Sequence, residues 1–129
     1  ELAILGVPRM SVETIEIDRG GTSYSFDTME LLQQREPSTK FYFIIGGDQV
    51  EYLSKWYRID EFVGKVQLVG VPRPNTLIET AYPIKTLDIP QIELSSTVVR
   101  NRLAKGETTK FLLPELVNDF IQKEKLYEI

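Results

Sequence analysis

Histidine and cysteine are both missing from these 129 residues. Without histidine there is no imidazole to serve as general base, triad member or metal ligand. Without cysteine there is no disulfide framework, and no thiolate nucleophile or metal site. Long apolar runs are lacking too. No stretch approaches a membrane span and no signal-peptide pattern is present, so the expected location is the cytoplasm, with no membrane partner. Basic charge is scarce: 15 Lys and Arg against 19 Asp and Glu give a formal net charge of −4. That balance argues against a nucleic-acid partner and leaves only local basic sites. An initiator Met is also absent. The opening Glu-Leu-Ala-Ile-Leu-Gly reads as the last turns of a helix ending at Gly6, a start in mid-element.

What is present reads as one domain over residues 1–129, with no linker, repeat or low-complexity tract. Residues 12–17 alternate apolar and polar, which predicts a short strand. Phe26, Met29 and Leu32 at three-residue spacing predict a helix over 26–35, capped by Ser25 and ended before Pro37. The apolar run 41–45 predicts a strand buried on both faces. Gly46-Gly47-Asp48 then turns into a helix with Val50, Leu53 and Trp56 on one face, followed by a short turn at 59–63. Strands are expected at 66–71 and 84–89. Helices are expected over 96–105, ending at Gly106, and from Pro114 as first helical position onward. Strands alternating with helices define an α/β fold with a mainly parallel sheet. Residues 76–83 read as a loop without recognisable chemistry.

Three strand ends carry chemistry. Gly46-Gly47-Asp48 is either a plain strand-to-helix turn or a place where backbone approaches a nucleotide and a carboxylate meets a ribose hydroxyl. Arg73 is held extended between Pro72 and Pro74. Ser95-Ser96-Thr97 runs into a helix bearing Arg100 on the same face as Ser96 and Thr97. It is either a helix cap or an anion site built from hydroxyls, free N–H groups and a guanidinium. Trp56 is either a core filler or a face offered to a planar ring. Ser23, Tyr24 and Ser25 serve as turn and cap residues or as part of a site. The joint occurrence of these features favours a nucleotide-binding domain.

Taken together, Ser23-Tyr24-Ser25-Phe26-Asp27-Thr28, Ile45-Gly46-Gly47-Asp48, Leu53-Ser54-Lys55-Trp56, Val71-Pro72-Arg73-Pro74 and Leu94-Ser95-Ser96-Thr97-Val98-Val99-Arg100 resemble the bacterial nicotinate-nucleotide adenylyltransferases. The resemblance covers essentially the whole chain. It implies a Rossmann-like nucleotidyltransferase that joins nicotinate mononucleotide to the AMP part of ATP in NAD biosynthesis, releasing pyrophosphate, with Mg²⁺. By the same resemblance Ser95, Ser96, Thr97 and Arg100 hold the ATP phosphates, Gly46 and Asp48 meet the adenosine ribose, and Arg73 lies near the ATP. Trp56 stacks on the pyridine ring, with Ser25 and the Tyr57 backbone near the nicotinate carboxylate. In-line attack of one phosphate on another depends on positioning and charge neutralisation, so no protein nucleophile is needed.

The chain departs from the family pattern in lacking its Gly-x-Phe-Asp-Pro-x-His-x-Gly-His-like motif. Ser25 stands where Thr is expected and Leu94 where Ile is expected. The expectation is therefore a C-terminal portion of a longer enzyme, its first strand and helix missing and the chain inactive by itself. The competing readings are a non-catalytic nucleotide-binding fragment and a related nucleotidyltransferase with another phosphate acceptor. A homo-oligomer stays open.

Overall fold

Strands β1 (Tyr42–Gly46), β2 (Gln67–Val71) and β3 (Ile84–Thr86) form a parallel sheet in the order β1-β2-β3. They are seen in the computed structural model, which describes residues 1–74 and 76–127. Ile44 lies opposite Val69 and Gly46 opposite Val71, so β1 and β2 end level with one another. Parallel neighbours need a crossover. Between β1 and β2 it consists of the short helix α3 (Gly47–Val50), a 3₁₀ turn (Leu53–Lys55) and α4 (Ile59–Lys65).

The sheet lies in a unit spanning Thr14–Ile92. Its core gathers Phe26 and Met29 from α2 (Ser25–Arg35), Ile45, Val50, Leu53, Ile59, Phe62, Val66 and Leu68. Phe26, Leu53, Phe62 and Leu68 are fully buried, and each contributes about 1.5–3 kcal/mol by leaving water. Phe43 meets Phe62 edge to face at 5.1 Å, which fastens α4 to the sheet. Gln33 of α2 donates to the Lys65 carbonyl at 2.8 Å, and Lys65 pairs with Glu30 at 3.2 Å, tying α2 to the end of α4.

Several sequence expectations are corrected here. Residues 12–17 are not a strand: α1 (Ile15–Arg19) takes their place. The Thr14 hydroxyl donates to Asp18 at 2.9 Å and the Thr14 carbonyl accepts from the Asp18 N–H, a helical turn closed locally. Strand β1 is not buried on both faces. Tyr42 and Ile44 are 54% and 65% exposed, because Phe43 and Ile45 face the core while Tyr42 shares the other face with the ammonium groups of Lys40 and Lys85. Ser25 is the first residue of α2 rather than its cap. The extended Tyr24 precedes it, and no side chain caps the helix. Trp56 does not share a helix with Val50, since α3 stops at Val50 and a 3₁₀ turn follows. The turn expected at 59–63 is the full helix α4. β3 ends at Thr86, three residues short of the expected strand.

The second unit comprises Glu1–Glu13 and the residues from Glu93 onward. It contains α5 (Ser96–Ala104), α6 (Glu115–Lys123) and a 3₁₀ turn at Leu2–Ile4, against which α6 packs. The helix expected to end at Gly6 is only this turn. α5 stops one residue earlier than expected, at Ala104, and Pro114 stands before α6 as N-cap rather than inside it, its carbonyl accepting from Val117 and Asn118. Between the helices, buried Thr109 donates to the Asn118 side-chain oxygen at 2.6 Å, which satisfies a hydroxyl removed from water. Among the described residues no helix is long and apolar enough to cross a membrane.

Candidate functional site

In the sheet unit the candidate residues gather at the carboxyl ends of β1 and β2. β1 ends at Gly46, and Asp48 lies in the first turn of α3. The Asp48 carboxylate faces the Arg73 guanidinium, Oδ1 to Nε 3.5 Å, so the two strand ends are joined by an ion pair. A Cβ on Gly46 would stand 2.6 Å from that carboxylate oxygen and 3.5 Å from Arg73 Nε. Glycine is what lets the pair close over the backbone. Both side chains are at least half exposed. The pair is therefore weak, and either charge is available to a ligand.

Thr76, where the sequence showed no chemistry, belongs to this cluster. Its hydroxyl accepts from the Arg73 N–H and donates to the Arg73 carbonyl, both at 2.9 Å, and its own N–H bonds that carbonyl at 3.0 Å. The available signal was Pro74 following Arg73, the usual second residue of a β-turn, with a hydroxyl residue closing the turn.

Ser25, Trp56 and Tyr57 lie in the same unit. Tyr24 stacks on Tyr57 with ring centroids 4.6 Å apart, bringing the start of α2 to the segment that carries Tyr57. Trp56 is half-buried and meets Phe43 edge-on at 5.9 Å and Phe62 at 5.8 Å. Next to them Arg58 adopts a left-handed backbone (φ 52°), with its guanidinium 3.9 Å over the Phe26 ring and both arms on Glu61. The hydrogen bond from Arg58 holds the Glu61 carboxyl below the usual carboxylate range, and the same bond raises Arg58. The i, i+3 spacing of Arg58 and Glu61 allows this fork, whereas the left-handed φ of Arg58 has no sequence signal.

In the second unit Ser95 caps α5, its hydroxyl accepting from the Val98 N–H at 3.3 Å. Ser96 and Thr97 occupy the first turn and are exposed, while Val99 is buried and anchors the helix. Arg100 donates to the Thr97 hydroxyl at 3.4 Å. The expected shared face is thus observed as a contact. Arg102 turns elsewhere, to the Thr108 carbonyl at 3.0 Å and Glu107 at 3.3 Å. A groove of about 320 Å³ runs beside Ser95, Ser96 and Arg100, its other walls formed by Leu94, Val99, Leu103, Leu112, Leu113, Ile121 and Tyr127. Hydroxyls, helix N–H groups and a guanidinium on an apolar floor suit a ligand with an anionic end. Among the described residues no three His, Cys, Asp or Glu side chains gather to hold a metal ion.

The sequence model of the Cytidylyltransferase-like family matches residues 2–102. A probable nicotinate-nucleotide adenylyltransferase of Streptococcus pneumoniae is 52% identical over 127 residues, 98% of this chain and 61% of that protein. The nicotinate-nucleotide adenylyltransferase of Bacillus subtilis is 43% identical over 99% of the chain and 68% of its own length. The chain thus spans about three fifths of the S. pneumoniae relative it matches. Among solved structures, Plasmodium falciparum nicotinic acid mononucleotide adenylyltransferase complexed with APC superposes with a TM-score of 0.69 at 20% identity, over 84% of this chain and 60% of that one. At that identity the likeness establishes the fold, a Rossmann-like nucleotidyltransferase fold. Strand ends that gather Gly46, Asp48 and Arg73, a capped helix carrying Ser95 to Arg100, and relatives matched along nearly the whole chain agree: the chain belongs to the nicotinate-nucleotide adenylyltransferase family.

Proposed function

We propose that the protein carrying this chain transfers the adenylyl group of ATP to nicotinate mononucleotide in the cytoplasm, as a step of NAD biosynthesis. A phosphate oxygen of the mononucleotide bonds to the α-phosphorus of ATP while the bond from that phosphorus to the bridging oxygen breaks. Nicotinate adenine dinucleotide forms and pyrophosphate leaves. The observation that carries the proposal is the Asp48–Arg73 pair at the level ends of two parallel strands, where open α/β sheets take their ligands, in a chain of this family.

In this scheme Asp48 accepts from a ribose hydroxyl where the Gly46 backbone can approach, and Arg73 neutralises charge near the ATP. Ser96, Thr97 and Arg100 hold phosphate oxygens, and Ser95 fixes the turn that presents them. Trp56 gives its ring to the pyridine, with Ser25 and Tyr57 beside the nicotinate carboxylate. Mg²⁺ enters as part of the substrate, bound to ATP phosphates. Mg²⁺ on nucleotides takes most of its ligands from phosphate and water.

The test is pyrophosphate release from ATP and nicotinate mononucleotide, run on the 129-residue chain and on the complete gene product. Turnover by the gene product is expected. Turnover with a different phosphate acceptor only would transfer the assignment to another nucleotidyltransferase, and nucleotide binding without turnover would leave a binding module.

A further inference from the structure

Thr76 has no part in the scheme above, yet it joins its two strand ends. Its side chain grips both backbone polar groups of Arg73, the N–H and the carbonyl, at 2.9 Å each. The same hydroxyl lies over Gly47: a Cβ there would stand 2.5 Å from Thr76 Oγ1 and 3.3 Å from Thr76 Cβ. Gly47 is buried and begins α3, the helix that carries Asp48. One hydroxyl is thus bonded to the residue supplying the guanidinium and seated on the turn supplying the carboxylate. Thr76 itself is only partly exposed.

We infer that Thr76 is a positioning residue for nucleotide use: it fixes the Arg73 peptide against the Gly47 turn and so sets where Arg73 and Asp48 present their charges. The inference rests on the proposed adenylyl transfer. Most substitutions after a strand would merely loosen a loop. Here the hydroxyl is specific, because a single oxygen both accepts and donates, a geometry that Ser keeps and Val loses.

The experiment compares Thr76→Ser, Thr76→Val, Gly47→Ala and the double variant Gly47→Ala/Thr76→Val in the complete gene product, reading KM for ATP, KM for nicotinate mononucleotide, and Tm. Thr76→Val should raise KM for ATP about five- to tenfold, the effect of losing the hydroxyl's bonds, and leave KM for the mononucleotide within about twofold, while Thr76→Ser restores ATP use. Gly47→Ala, which pushes the hydroxyl off its seat, should reproduce the Val phenotype, and the double variant should be no worse than the poorer single one. Equal rises in both KM values with a lowered Tm, or no rescue by Ser, would make Thr76 a structural residue and overturn the inference. A wild-type protein that fails to adenylylate nicotinate mononucleotide would instead remove the functional proposal beneath it.

Discussion

Asp48 and Arg73 face one another across the ends of adjacent parallel strands, Oδ1 to Nε 3.5 Å. With both side chains at least half exposed, the pair contributes little to stability, within about 0.5 kcal/mol. Asp48→Asn and Arg73→Gln should therefore leave Tm nearly unchanged and lower kcat/KM for ATP by about tenfold or more, as expected for lost charged hydrogen bonds. Steady-state kinetics beside a thermal melt checks this. A fall in Tm of several degrees with intact ATP kinetics would reassign the pair to structure.

Gly46 tests the same place by volume. Its missing Cβ would lie 2.6 Å from the Asp48 carboxylate. Because that oxygen sits at the end of a movable side chain, Gly46→Ala should displace the carboxylate at modest cost in stability. The expected outcome is a raised KM for ATP resembling Asp48→Asn, and Gly46→Ala on top of Asp48→Asn should add little.

Arg100 is exposed and donates to the Thr97 hydroxyl at 3.4 Å. Arg100→Ala should cost ATP use about 1.5–3 kcal/mol, roughly ten- to a hundredfold in kcat/KM, with stability nearly untouched. Unchanged ATP kinetics on a folded variant would reduce Ser95 to Arg100 to a capped helix.

Trp56 has two roles to separate, since its ring is packed against Phe43 and Phe62. Trp56→Ala should destabilise by about 2–3 kcal/mol, below the range for a fully buried aromatic. Its KM for nicotinate mononucleotide should rise while KM for ATP is spared. Trp56→Phe should recover most of the stability and part of the mononucleotide affinity. Equal losses for both substrates would confine Trp56 to packing.

Glu61 gives a pH dependence of definite sign. Arg58 lowers its carboxyl in the folded chain, so the folded state binds its proton less readily than the unfolded one. The stabilisation is present above the ordinary carboxylate range and is lost as pH falls through the lowered value. Urea melts across the acid range should show Glu61→Gln narrowing its stability deficit as the medium is acidified. A deficit independent of pH would mean that the fork acts through geometry alone.

Much of this architecture is local and so could be read from the chain. The apolar run before Gly46 needs only its own residues to announce a strand, and Ser95 announces a helix by capping it. Residues 12–17 misled because little more than one turn of helix and a short alternating strand look alike over so few positions. The exposure of Tyr42 and Ile44 was hidden for a different reason: apolar side chains do not declare which face of a sheet will be covered. The turn at Pro74 could place Thr76 beside Arg73, but its approach to Gly47, nearly thirty positions away in sequence, could not be read. The left-handed backbone of Arg58, beside its fork to Glu61, is signalled by nothing at that position.

The division of the chain separates two kinds of contact. The sheet and its core are drawn from one uninterrupted stretch, Thr14–Ile92, while the other unit joins Leu2–Ile4 to α6. Joining residues so far apart in sequence closes a long loop, which slows folding more than it weakens the product. The strand ends bearing Asp48 and Arg73 thus rest on contacts within one stretch, whereas the helix of Ser95 to Arg100 belongs to a unit whose contacts reach back across that stretch.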